Sequence, residues 1–361
     1  MTDTAPDIIA DSAHDTPRNT DAAPIEQLEA RAERRSERRE FFRTALGAGA
    51  VAAVGAAAVT LGSRATAQST NDAAILNFAL NLEYLEAQFY SFAVFGTGLP
   101  AAQLTPGSAS ATTQGAVTGG RQVTFTDPLV AQYAREIAAD EVAHVAFLRS
   151  LLGTAAVAQP AIDIGSTPTS AFSVAARAAG LVAAGAAFDP YASDENFLLA
   201  AFLFEDVGVT AYKGASSLLE SKLYLDAAAG ILAAEAYHAA IIRTVLYRKG
   251  LDTPSLRTSA DAISNARDTL DGLIEDDQGI SPVTLTNMMT PPPPPGAFAP
   301  QAPAALLGLA SNIVPTGPDG VVFGRAFGNV LNILYLSTAA VTRGGFFPNG
   351  VNGSITSSAA P

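Results

Sequence analysis

From about residue 72 onward, stretches in which apolar residues return every three or four positions alternate with stretches that have no period. The first periodic stretch runs from about Asp72 to Phe95, with Ile75, Phe78, Ala79, Leu82, Leu85 and Phe89 on one face and Gly96 suited to cap its end. A second opens at Asp127-Pro128, where aspartate can cap the helix and proline suits its first position, and it ends near Gly153. A third starts near Ser193, with Asp194 and Glu195 favouring its positive end, and continues to about Leu219. After a tight turn near Glu220, a fourth runs to Arg248-Lys249-Gly250, a basic and glycine ending that closes a helix. The pattern predicts an all-α fold, an antiparallel bundle of four helices in two hairpins.

The aperiodic stretches say how the hairpins connect. Residues 97–126, rich in Gly, Ser, Thr and Ala, predict a long irregular connection or a short strand pair around Arg121 to Thr126. Thr154 to Tyr191 is low in charge and long enough to cross the length of a bundle, so it is a crossover, and its Ala/Gly richness suits close helix approach or a plain linker. Residues 251–290 predict one further helix, followed by a stiff polyproline segment at Pro291–Pro295. Apolar patterns at Ala304–Ile313 and Phe327–Leu336 precede the run from Gly344 to Gly350. This tail has no uncharged apolar run long enough to span a membrane, so it is expected to cover the bundle. The organisation predicted is a leader over 1–67, a bundle over 71–250, and a C-terminal extension over 251–361 that packs on the bundle.

The leader has its own signature. Ser36-Glu37-Arg38-Arg39-Glu40-Phe41-Phe42-Arg43 precedes a weakly hydrophobic Ala/Gly-rich stretch, Thr44 to Gly62, and then Ala65-Thr66-Ala67. It resembles a twin-arginine export signal built on Arg38 and Arg39, with cleavage after Ala67. That resemblance implies passage through the twin-arginine machinery to a periplasmic or extracellular location; the other reading is an uncleaved anchor or a surface helix. Glu37 directly before the arginine pair, and Phe42 where leucine is usual, depart from the pattern. The net charge of −13 argues against nucleic acid as a partner, because the one dense basic cluster lies in this leader. With no cysteine in the chain, thiolate chemistry is excluded and any metal is held by oxygen and nitrogen.

Two of the three histidines share a pattern: Glu141 precedes His144 by three residues, and Glu235 precedes His238 by three. Positions three apart share a helix face. With 34 acidic residues in 361, both histidines would have such a partner by chance in roughly one case in a hundred. The third, His14, lies in the leader. Each hairpin also carries a glutamate seven residues before a tyrosine, Glu83 with Tyr90 and Glu205 with Tyr212. Glu205 and Glu235 lie fifteen residues either side of Glu220, and Glu83 and Glu141 sit at matching distances from the ends of their helices, so all four acids fall at the mid-level of the bundle. Four carboxylates cannot be buried bare. Two divalent ions would neutralise them, and the mixed Glu/His set suits iron or manganese.

One glutamate on each of two helices and Glu-x-x-His on each of the others is the ligand pattern of ferritin-like di-iron and di-manganese bundles. The segment from Leu76 to Tyr90, Asp140-Glu141-Val-Ala-His144, Phe323-Gly324-Arg325 and the run from Gly344 to Gly350 resemble the ferritin-like, desiccation-related proteins. The resemblance implies a ferritin-like four-helix bundle and an association with stress. Carried over by position, Glu83, Glu141, His144, Glu205, Glu235 and His238 would be the ligands, with Glu86 as an alternate. Glu141 and Glu205, or Glu83 and Glu235, are the pairs that could bridge. Asp140 is a candidate to hold the far nitrogen of His238, with only Ala234 in the corresponding place before Glu235. Tyr90 and Tyr212 are expected as core tyrosines donating to a ligand carboxylate, and Tyr237 as a packing residue.

Two functions are carried forward. One is an exported oxidoreductase whose dinuclear centre meets oxygen or peroxide as a ferroxidase, peroxidase or manganese-catalase-like enzyme. The alternative is a non-catalytic stress-protection protein of the envelope with a structural or vestigial metal site. A storage shell suits the chain less, because the long connection and tail would disturb its packing. Homo-oligomerisation is left open.

Overall fold

The computed structural model describes residues 70–272, 276–284 and 309–360. The leader, with Arg38, Arg39 and the expected cleavage after Ala67, and the polyproline run lie outside the described residues. Four long helices form the frame: α1 (Thr70–Phe95), α2 (Pro128–Leu152), α4 (Asp194–Ser216) and α5 (Lys222–Asp252), with the short α3 (Ala171–Ala178) in the crossover. Helices α1 and α2 pack as one hairpin and α4 and α5 as the other, and contacts of α1 with α4 and of α2 with α5 close the bundle. Asp127 caps α2 by accepting from Leu129 N at 2.9 Å, and Ser193 caps α4 by accepting from Asn196 N at 3.2 Å. Two buried aspartates tie the hairpins together at their ends. Asp72 of α1 accepts from the backbone of Glu220 and Ser221 in the α4–α5 turn, and Asp194 of α4 accepts from Thr126 and Asp127 at the start of α2.

The four helices are not equivalent. Nearly every side chain of α1 and α4 is buried, whereas α2 and α5 each keep an exposed outer face. The crossover and the C-terminal extension supply the cover, since an all-round apolar helix is stable only when enclosed. Phe346 of the tail packs against Phe172 of α3 and Phe204 of α4, and Asn352 exchanges backbone and side-chain hydrogen bonds with Asn81 of α1.

Three sequence expectations change. Residues 121–126 form no strand; β1 (Val117–Gly119) pairs in parallel with β2 (Ile162–Ile164), a partner that lies beyond α2 and that local pattern does not reveal. The fourth helix continues to Asp252, and α6 (Ser255–Asp271) stops well before residue 290, at Gly272. Within the apolar stretch 304–313, Leu309–Ala310 is a strand, β4, paired antiparallel with β3 (Val283–Thr284), and α7 (Phe327–Tyr335) follows.

The extension is clamped by buried ion pairs. Asp206 of α4 receives Arg243 of α5 at 2.7 Å and Arg267 of α6 at 2.8 Å, while Arg325 pairs with Asp271 at 2.6 Å and with Asp277. Beside Arg325 the tail touches the α4 backbone at Gly214, where a Cβ would lie 1.9 Å from the Arg325 carbonyl oxygen. Removing Arg325 leaves Asp271 buried and unpaired. Arg325→Ala is therefore expected to destabilise the fold by about 3 kcal/mol or more, read from urea unfolding, with the metal centre of the folded fraction intact.

Candidate metal centre

Each helix delivers its residues to one level because the acids lie near mid-helix and the hairpins are of similar length: Glu83 from α1, Glu141 and His144 from α2, Glu205 from α4, Glu235 and His238 from α5. All six are buried. They form two overlapping donor groups, Glu83–Glu141–His144–Glu235 and Glu141–Glu205–Glu235–His238, and within each group one ligand atom per residue lies within 4.8 Å of the others. The groups share Glu141 and Glu235. Each pair drawn from the sequence, Glu141 with Glu205 or Glu83 with Glu235, joins one shared carboxylate to one that belongs to a single group. The pseudo-twofold that exchanges the hairpins relates Glu141 to Glu235 and Glu83 to Glu205, and the two shared carboxylates, Glu141 and Glu235, would be the ones in reach of both ions if two were held.

The distances fit ligands arranged around ions. His144 Nδ1 lies 3.1 Å from Glu83, 3.6 Å from Glu141 and 3.7 Å from Glu235. His238 Nδ1 lies 3.0 Å from Glu141 and 3.6 Å from Glu205. Donors about 2.1 Å from a common ion and at right angles to each other stand about 3 Å apart. Both oxygens of Glu235 and Glu205 Oε2 are buried without a hydrogen-bond partner, and Glu141 meets only the two imidazoles. Buried polar atoms ordinarily find partners. Here they face one another across the centre, and cations would satisfy them.

The outer oxygens are held in a crossed arrangement. Tyr90 of α1 donates to Glu205 of α4, and Tyr212 of α4 donates to Glu83 of α1. Burial, together with the carboxylate each one meets, pushes both phenols well above their ordinary range, so they remain protonated donors. Asp140 Oδ2 stands 3.3 Å from His238 Nε2, which directs Nδ1 into the centre. Ala234 leaves the twofold-related position without a carboxylate.

Burial and neighbouring charges pull the acids of the centre in different directions. Burial raises the Glu83 carboxyl to about 7, against the pull of His144. Burial and neighbouring carboxylates push Glu86 and Glu235 well above the usual range, and burial raises Glu205. Burial works on Glu141 in the same sense, but His144 and His238 on either side hold it below the ordinary carboxylate value. Burial would depress both imidazoles, yet the surrounding carboxylates drive them upward. Burial thus favours the protonated form at Glu83, Glu86, Glu205 and Glu235, while Glu141, between its two imidazoles, stays ionised.

Glu86 stands apart. It is buried, with Oε2 unpartnered, but it belongs to neither donor group. Gly208 of α4, which sequence reading missed, makes its surroundings possible: a Cβ there would lie 2.3 Å from Glu235 Oε2 and 3.3 Å from Glu86 Oε1. A glycine inside a helix costs about 1 kcal/mol relative to alanine, so one flanked by valines three residues after Glu205 is a signal that a close approach was needed. Tyr237 is not a packing residue of the bundle. It is 74% exposed, because its neighbour His238 takes the inward face of α5.

Residues 71–248 match the model of the ferritin-like domain family. The chain is a ferritin-like domain protein. It is 35% identical to desiccation-related protein PCC13-62 of Craterostigma plantagineum over 182 residues, which is 50% of this chain and 55% of that protein. The chain thus spans little more than half the length of that relative. It is 28% identical to ferritin-like catalase Nec2 of Nesocodon mauritianus over 291 residues, 79% of this chain and 84% of that one. No solved structure matches the chain.

Two outcomes test the centre. Because Glu83 keeps its proton up to about 7, ions must displace protons, so Mn(II) affinity is expected to rise between pH about 6 and about 8 with proton release, measured by calorimetry in buffers of different ionisation enthalpy. Asp140→Asn is expected to weaken metal retention about 10- to 100-fold while leaving the melting of the metal-free protein unchanged, read by competition with a chelator.

Proposed function

We propose that this chain is an exported metalloprotein whose dinuclear iron or manganese centre reacts with dioxygen or peroxide under water stress. The observation that carries the reading is the pair of overlapping buried donor groups, four carboxylates and two imidazoles with their oxygens turned toward one another. Two ions bound there would exchange electrons with the oxygen species by moving between adjacent oxidation states. The similarity to a protein named a catalase, which extends over 84% of that protein, favours peroxide as the substrate. The similarity to a desiccation-related protein supports the link to water stress.

The chain's own residues have separable tasks in this reading. Tyr90 and Tyr212 hold Glu205 and Glu83, each a member of one donor group, while Glu141 and Glu235 belong to both. Asp140 selects the His238 tautomer that offers Nδ1. Glu86, kept protonated by burial, holds a proton beside Glu235. The enclosing α1 and α4 exclude water, which strengthens every charge interaction inside. The Arg38-Arg39 leader supports export after the centre has been filled, because the twin-arginine route carries folded proteins.

The one-sided support of the histidines, Asp140 without a counterpart at Ala234, favours the second reading, a stress-protection protein whose metals only hold the bundle together. Elemental analysis of the purified protein separates the two, combined with peroxide and ferrous-oxidation assays. Close to two iron or manganese ions per chain, with turnover that Glu141→Ala abolishes, is the expected result. Two ions that raise the melting temperature without turnover would place the chain in the second class.

A further inference from the structure

Helix α5 leaves one face open along its whole length. It is long and apolar enough to cross a membrane, yet only 33% of its most apolar window is buried. Steps of three and four residues from Leu223 to Leu251 trace a single stripe centred on Tyr237. Leu223, Tyr237 and Leu251 are respectively 60%, 74% and 52% exposed. Asp226 and Arg248 on the same stripe are also exposed, Arg248 with an exposed i,i+4 pair to Asp252 at 3.0 Å, and small residues, Gly230 and Ala233, lie between Asp226 and Tyr237.

The stripe is complementary to itself when reversed. Leu223 and Leu251 lie fourteen residues before and after Tyr237, and Asp226 and Arg248 lie eleven before and after it. Lys222 and Asp252, at the helix ends, are likewise equidistant from the centre and of opposite charge. A second α5 laid antiparallel, with the twofold axis through Tyr237, therefore sets leucine on leucine and aspartate on arginine at both ends. Gly230 and Ala233, opposite Thr244 and Ile241 of the other copy, allow the helices to approach closely. A twofold interface is built from one patch facing itself, and this patch has the required inversion of charge and repetition of apolar character.

We propose that the protein forms a symmetric homodimer through an antiparallel pairing of α5 with α5 of a second copy, Tyr237 lying on the twofold axis. A lipid surface would use the apolar residues of the stripe but not its paired charges. Among the described residues nothing covers this side of the bundle, so the pairing requires no rearrangement of the described parts of the crossover or the extension.

The test uses the purified full-length protein, which has no cysteine of its own. Tyr237→Cys is expected to give a disulfide-linked dimer under mild oxidation, whereas Thr269→Cys, exposed on α6, stays uncrosslinked. In sedimentation equilibrium, Asp226→Arg and Arg248→Asp alone are each expected to weaken association about tenfold or more, because each sets like charges opposite one another at two symmetric places. The combined variant restores the pairing with its sign reversed and recovers the dimer. All these positions are exposed, so each variant is expected to keep its helical circular dichroism spectrum, which shows that it folds. The proposal is overturned if the protein sediments as one chain at micromolar concentration, if the combined variant associates no better than either single one, or if α5 engages only detergent or phosphatidylcholine vesicles. None of these readouts depends on metal content or turnover.

Discussion

The constraint on which this fold depends is the burial of several carboxylates at one level of a helical bundle. Glu83, Glu141, Glu205, Glu235 and Glu86 are all shielded from water, and taking each charge out of water costs several kcal/mol unless something answers it. Two histidines and two tyrosines supply part of that answer. The remaining oxygens face inward without partners, a state that is stable only if protons or cations occupy the space they enclose. The centre is thus a source of strain that two ions would convert into a source of cohesion, linking four helices through shared ligands.

Much of the remaining chain serves to keep water away from this point. Helices α1 and α4 carry large apolar residues on every side, including Phe89, Phe202 and Phe204, and cannot stand at the surface of a two-hairpin bundle. The crossover lays α3 against one side, and the extension lays α6, α7 and the final loop against the others. The extension is fastened by charge as well as by packing: Asp206, next in sequence to Glu205, receives two arginines from different helices. A residue beside a candidate ligand therefore also anchors the cover.

The internal twofold is close in the inner ligands and breaks away from them. Tyr90 and Tyr212 reciprocate across the two hairpins, and the two Glu-x-x-His pairs face each other. Asp140 has no counterpart at Ala234, and Glu86 is matched three residues after Glu205 by Gly208. That last difference is steric: a Cβ at Gly208 would lie 2.3 Å from Glu235 Oε2 of its own hairpin and 3.3 Å from Glu86 Oε1 of the other. The outcome is a centre with two differently supported imidazoles and one additional acid, lying on one side of the symmetry axis.

Sequence alone determined what depends on local periodicity and on distances counted along helices. The spacing of Ile75, Phe78, Leu82 and Phe89, the caps at Asp127 and Ser193, and the equal arms around Glu220 were enough to predict four helices with their acids at one height, because an α-helix advances by a constant rise per residue. What needed three dimensions was everything that depends on which atoms meet across hairpins. The parallel pairing of Val117–Gly119 with Ile162–Ile164 joins segments separated by a whole helix, and no local pattern marks it. The sharing of Glu141 and Glu235 depends on side-chain direction, which spacing along one helix cannot supply. Tyr237 could be placed on either face until His238 took the inner one, and the room at Gly208 became meaningful only with Glu235 and Glu86 beside it. Helical periodicity sets the level and face of each residue, whereas the packing of one hairpin on the other decides which of them touch.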